Sequence, residues 1–89
     1  MPDKTAMYYV YILKSSVNKD LYIGFSRDLK RRLEDHNGRK VRSTKGYAPW
    51  ELIYYEAYKS VKDATRREKQ LKNHQQKNTL RDQIRYSYL

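Results

Sequence analysis

Cysteine is missing from all 89 positions of this chain. That excludes a disulfide framework and thiolate metal sites, and it fits a protein kept in the cytoplasm. Also missing is any uninterrupted apolar segment after Met1 that would read as a signal peptide. No stretch is long enough to span a bilayer, so no membrane partner is expected. Internal repeats, low-complexity tracts and linkers are absent too. The chain reads as one domain over residues 1–89, with residues 1–6 as a short polar, flexible lead-in. Acids are scarce: ten Asp and Glu stand against twenty Lys and Arg, a net charge of +10. Such an excess points to a polyanionic partner, most often nucleic acid, against the plainer alternative of solubility through charge.

Tyrosine fills the gap left by a hydrophobic fraction of 38%, which already includes ten tyrosines. A chain of this length buries roughly 60% of its unfolded surface or a little more, so tyrosine must supply much of a modest core. Alternation of Tyr9, Tyr11 and Leu13 against Tyr8, Val10 and Ile12 predicts a strand over Tyr8–Lys14. Ser15 to Asp20 is a turn-rich connector of hairpin length, and Leu21–Phe25 is the second, antiparallel strand. Gly24 inside that strand costs stability, which suggests a bulge or a close approach by another group.

The period then becomes helical. Leu29, Arg32, Leu33 and His36 share one face of a helix expected over about Arg27 to Asn37, with Ser26 as N-cap and Gly38 closing it. An arginine and a histidine therefore ride on the apolar stripe that packs toward the tyrosine hairpin. Gly38 to Ala48 reads as a loop carrying Arg39, Lys40, Arg42 and Lys45 with almost no acid. Phosphate contact is one account of those four cations; a solvated basic loop is the other. Pro49 opens a third strand, Trp50 to Tyr58. It alternates well, with Trp50, Leu52, Tyr54 and Tyr58 on one side and Ile53, Tyr55 and Ala57 on the other.

Ser60 caps the next helix, whose stripe is Val61, Ala64 and Leu71 with Glu68 in the remaining place. A lone acid on a buried face is expensive unless paired or bound to a cation. Its candidate ion-pair partners are Arg67, Lys72 and Arg32. Asn73-His74 ends that helix, His74 is expected to face solvent, and Leu80 with Ile84 marks a short last helix. The order is β-β-α-β-α-α, an α+β fold with a small three-stranded antiparallel sheet flanked by helices.

Tyr9-Val10-Tyr11, Tyr22-Ile23-Gly24 with Tyr22 eleven positions after Tyr11, then Arg32, His36 and Arg67-Glu68, resembles the GIY-YIG nuclease superfamily. Asp28 to Asn37 and Pro49-Trp50-Glu51-Leu52 resemble its compact stand-alone branch and the related structure-specific endonuclease subunits. The first triplet is Tyr-Val-Tyr rather than Gly-Ile-Tyr, and for the family's asparagine after the metal helix only Asn73 and Asn78 are available. The resemblance implies metal-dependent hydrolysis of DNA phosphodiesters, in repair or recombination processing, on structured or damaged DNA. It implies Tyr11 as general base, Tyr22 as a tyrosine that shapes the site and Arg32 as the phosphate-binding arginine. It further implies His36 near the phosphate, and Glu68 as the carboxylate holding one divalent cation, Mg²⁺ or Mn²⁺. Alternatives from another class are a catalytically weak nucleic-acid-binding module and a subunit that needs a partner for activity.

Chemistry supports that set. Arginine grips a phosphate bidentately, and Mg²⁺ needs only one or two carboxylates because it keeps most of its waters. Tyrosine titrates near 10, too high for a base at neutral pH, so Arg32 and a bound cation are expected to lower Tyr11.

Overall fold

Two faces of one sheet, each with its own apolar cluster, organise the molecule. The computed structural model describes residues 6–89. The lead-in expected over residues 1–6 therefore lies outside the described residues, except for Ala6. Strands β1 (Tyr8–Ser15), β2 (Leu21–Ser26) and β3 (Trp50–Tyr58) form an antiparallel sheet in the order β2-β1-β3, with the most buried strand at the centre. Val10 and Ile12 point to one face and join Leu21 and Ile23 under helix α2 (Val61–Leu71), which contributes Ala64 and Leu71. Leu80 from α3 (His74–Gln83) closes that cluster. Tyr11 and Leu13 point to the opposite face, where Trp50, Leu52 and Tyr22 meet Leu29 and Leu33 of helix α1 (Leu29–Asn37). A short helix α4 (Arg85–Tyr88) ends the chain. The α+β class, the antiparallel sheet and the flanking helices are as the sequence predicts. Among the described residues no helix is long and apolar enough to cross a membrane.

Four local differences have physical causes. First, α1 begins at Leu29 with Asp28 as its N-cap, not Ser26. The Asp28 carboxylate accepts from the Arg31 N–H at 3.1 Å, while the Ser26 hydroxyl is used in the turn before it, accepting from the Asp28 N–H at 2.9 Å. Second, β3 does not alternate strictly. Ile12 stands opposite Tyr54 but Leu13 stands opposite Leu52, so Ile53 is an extra residue, a β-bulge. The bulge flips the face assignment. Trp50 and Leu52 stay with α1, whereas Tyr54 and Tyr58 pack in the α2 cluster. Third, the last helical stretch is longer than expected, because the Asn73 side chain starts α3 by accepting from the Gln75 N–H at 2.9 Å. His74 is exposed at the start of α3. Fourth, Glu56 turns inward from β3. Its carboxylate accepts from the Tyr54 and Tyr58 hydroxyls, each at 2.5 Å, and takes Arg67 bidentately at 2.8 and 3.0 Å. Burial alone would raise the Glu56 carboxyl, but these donors outweigh it and hold it below the usual carboxylate range.

Candidate active site

Tyr11 sits at the middle of the central strand, directly opposite Gly24 on β2 and Tyr55 on β3. Its ring leans across Gly24. A Cβ built there would overlap the tyrosine hydroxyl and come within 2.9 Å of Cε2, so only glycine leaves room for the ring. The close approach anticipated at Gly24 is thus made by the Tyr11 side chain, and no bulge occurs on β2.

The ring is then fixed by what it meets. His36 reaches it from α1, its Nε2 lying 2.9 Å from the Tyr11 hydroxyl. On the other side of the imidazole, Nδ1 lies 2.7 Å from Thr44 Oγ1. The Thr44 hydroxyl proton is directed at the Val41 carbonyl at 3.4 Å, so its oxygen accepts from Nδ1–H. In that tautomer Nε2 is bare and accepts the Tyr11 O–H. Arg32, one helical turn before His36, donates from Nε to the same phenolic oxygen at 3.3 Å. Tyr22 packs edge-to-face on His36 at 4.9 Å and tilted on Tyr11 at 6.4 Å. Tyr11, Tyr22, Arg32 and His36 are therefore one contact cluster, as the helical spacing and the hairpin predict.

Glu68 comes from the helix on the opposite face. Among the described residues it makes no hydrogen bond to those four, and its ion-pair partner is Lys72 at 3.4 Å. Of the three partners weighed from sequence, Arg67 is taken by Glu56 and Arg32 faces Tyr11. Glu68 nevertheless lies near enough for its charge to push Tyr11 up, as the smallest of the contributions there. No group of three or more His, Cys, Asp or Glu that could hold a metal occurs among the described residues. One half-buried carboxylate is too few donors for a tetrahedral zinc centre. It does suit a hard cation that keeps its waters and borrows oxygens from a phosphate.

Burial is the largest influence on the Tyr11 phenol and drives it up. The hydrogen bond and charge of Arg32 oppose this without reversing it. Arg32 pulls Tyr11 down as expected, but the net lowering is not found: in the free protein desolvation wins, and Tyr11 is a phenol. His36, fully enclosed, is pushed down to about 4, first by burial and then by the Arg32 charge, against the pull of Asp35. A neutral imidazole is what the Tyr11 hydrogen bond requires.

That depression has a consequence for stability. The unfolded chain titrates this histidine at 6.5 and the folded chain at about 4, so between those values only the unfolded state takes up the proton. Stability from His36 is complete above pH 6.5 and is lost as pH falls toward 4, by about 3 kcal/mol at the low end. Urea denaturation across this window is expected to show that loss, and His36→Gln to flatten the slope. Equal slopes in the two proteins would mean that His36 is accessible to protons in the folded state.

Sequence reasoning missed three residues that hold the site in place. Thr44 is buried and fixes His36, and its carbonyl also accepts from the Trp50 indole N–H at 2.9 Å. Asn37 pairs through both side-chain atoms with the Trp50 backbone, at 2.6 and 3.0 Å, tying the end of α1 to β3. Ser15, fully buried, donates to the Tyr47 carbonyl at 2.6 Å. Between these anchors the loop from Gly38 to Ala48 is pinned, with a 3₁₀ turn at Lys45–Tyr47. Arg39, Lys40, Arg42 and Lys45 are exposed on it, and Arg39, in a left-handed conformation, donates to the Lys45 carbonyl at 3.1 Å. Among the described residues none of the four hydrogen-bonds to Tyr11, and Lys45 directly follows Thr44 in the chain.

The family model for the GIY-YIG catalytic domain matches residues 7–81. UPF0213 proteins from Staphylococcus aureus strains Mu3, Mu50 and N315 are 36% identical to the chain over 75 residues, which is 83% of this chain and 90% of theirs. No solved structure matches.

Proposed function

Because this chain belongs to the GIY-YIG catalytic domain family, we propose that it is a metal-dependent endonuclease that hydrolyses DNA phosphodiester bonds at the Tyr11 cluster. The observation that carries this is the shared oxygen: Arg32 Nε and His36 Nε2 converge on the Tyr11 hydroxyl at 3.3 and 2.9 Å. A core tyrosine does not need both a cation and a bare imidazole nitrogen on its oxygen.

Arg32 grips the scissile phosphate with the part of its fork not used on Tyr11. Tyr11 accepts a proton from the attacking water while its own passes along the 2.9 Å hydrogen bond to His36 Nε2. The Arg32 charge is one cause of the low proton affinity of His36, and a bound phosphate offsets that charge when the proton must arrive. Tyr22 holds the imidazole ring in place. Glu68 would hold the divalent cation, Mg²⁺ or Mn²⁺, which when bound neutralises the phosphate and stabilises the leaving oxygen. Structured or damaged DNA in repair or recombination, acted on in the cytoplasm, is the setting that fits.

The test is purified protein with Mg²⁺, Mn²⁺ or chelator against labelled single-stranded, duplex, flap and branched DNA. Cation-dependent cutting supports the proposal. Binding without cutting under any cation replaces it with a nucleic-acid-binding module or a subunit awaiting a partner.

The basic loop makes a separate, graded prediction. Log affinity should fall linearly with log salt concentration, and replacing two of Arg39, Lys40, Arg42 and Lys45 should flatten that slope by about two units. An unchanged slope returns the loop to a solvated surface.

A further inference from the structure

Helix α1 covers only part of the sheet face that carries Tyr11. Leu29 and Leu33 lie over Leu13, Leu52 and Trp50. Past Tyr11 the same face continues with Tyr9, Tyr55 and Ala57, Tyr9 being paired with Ala57 and Tyr55 standing opposite Tyr11 itself. The Tyr55 side is open: this residue is 53% exposed, Ala57 is exposed and Tyr9 half-buried. The two rings meet edge-to-face at 5.7 Å and 72°, which restrains Tyr55 in an upright position. Neither hydroxyl makes a hydrogen bond among the described residues.

An exposed tyrosine on an edge strand is often no more than a good strand former. Two features set this one apart. Its strand neighbours that of Tyr11, and because the Tyr11 ring leans the other way over Gly24, the hydroxyl lies about two strand spacings, roughly 10 Å, from the Tyr55 strand, a span comparable with that from a phosphate gripped by Arg32 to its own base. The surface around it belongs to a chain of net charge +10, which draws a polyanion onto this face. Given the nuclease proposal on which this rests, we infer that Tyr55, braced by Tyr9, is a stacking platform for one unstacked base beside the scissile phosphate. The preferred substrate is therefore single-stranded DNA, or DNA unpaired at the cleavage position. Bases in continuous duplex are already stacked and paired, so the duplex must open before one can lie on Tyr55. Ring stacking is tolerant of sequence because every base has a π-face, so the platform selects unpaired structure and not a base.

Stacking is read directly by 2-aminopurine, scanned one position at a time through a single-stranded oligonucleotide in chelator. Fluorescence should drop at one position on binding to wild type and to Tyr55→Phe, and should not drop with Tyr55→Ala. The Tyr55→Ala affinity for single strand should weaken roughly 5- to 150-fold, with duplex binding little changed. Because the readout needs no cleavage, the two proposals fail separately. A wild type that quenches and never cuts overturns the nuclease and leaves the platform standing. A wild type that cuts, with Tyr55→Ala matching it in quench and affinity, overturns the platform alone. If Tyr55→Ala turns a dimer into a monomer in sedimentation without weakening strand binding, the face belongs to a second copy of the chain and the platform is likewise overturned.

Discussion

Tyr11→Phe is expected to lower single-turnover cleavage by roughly 10²- to 10⁴-fold while the domain stays folded. The substitution keeps the ring that fills the space over Gly24 and removes only the oxygen. That oxygen has two partners, Arg32 Nε and His36 Nε2, so its loss leaves two nitrogens without theirs and lowers stability by about 1–3 kcal/mol. Melting temperatures recorded alongside separate this cost from the catalytic one. Arg32→Lys should also reduce cleavage strongly, because an ammonium cannot hold the phosphate bidentately and at the same time donate to the phenol. Both residues act on one transition state, so the double variant should lose less than the product of the single losses. Singly substituted proteins that remain folded and cut near the wild-type rate would show that the reaction takes place elsewhere.

The fold was legible where periodicity is strong. Period-two runs at Tyr8–Lys14 and Leu21–Phe25, and the Leu29/Arg32/Leu33/His36 stripe, placed the strands, the helix and the face shared by arginine and histidine close to where they lie. The α1 start lies two residues later than the sequence predicts because Ser26 and Asp28 are both good caps, and only the turn geometry decides between them. Alternation failed at Ile53 because a bulge has no signature in apolar pattern alone; the inward Glu56 that follows depends on it.

Within the site, residue types with plain chemistry were visible and their supports were not. Thr44 lies in a polar loop and Asn37 at a helix end, where both residue types are common for unremarked reasons. Their importance comes from partners across the fold, His36 and the Trp50 backbone. The direction of the Tyr11 shift was also beyond sequence. Arg32 was visible as a nearby charge, but the depth of burial that outweighs it depends on how α1 and the hairpin close over the ring. Glu68 was legible as an acid on an apolar stripe, yet its partner depended on Glu56 having already taken Arg67.

Glu68→Gln should abolish cation-dependent cleavage, by roughly 10³-fold or more, since a metal ion contributes several kcal/mol of charge stabilisation in such a reaction. Competing effects of the substitution are small. The pair joins half-buried Glu68 to exposed Lys72 as an i,i+4 contact at 3.4 Å, so breaking it costs about 0.2–0.5 kcal/mol and leaves the fold intact. Removing the Glu68 charge also relieves one upward push on Tyr11. That change favours catalysis, but it is the weakest of the influences there and cannot compensate for a lost cation. DNA binding in chelator should be at least as tight as wild type, because a carboxylate facing a phosphate repels it once no cation lies between them. Two measurements decide the matter together: cleavage against cation concentration, and binding in chelator. A variant that cuts at the wild-type rate with the same cation dependence would reduce Glu68 to a partner of Lys72 and move the metal site to another part of the molecule.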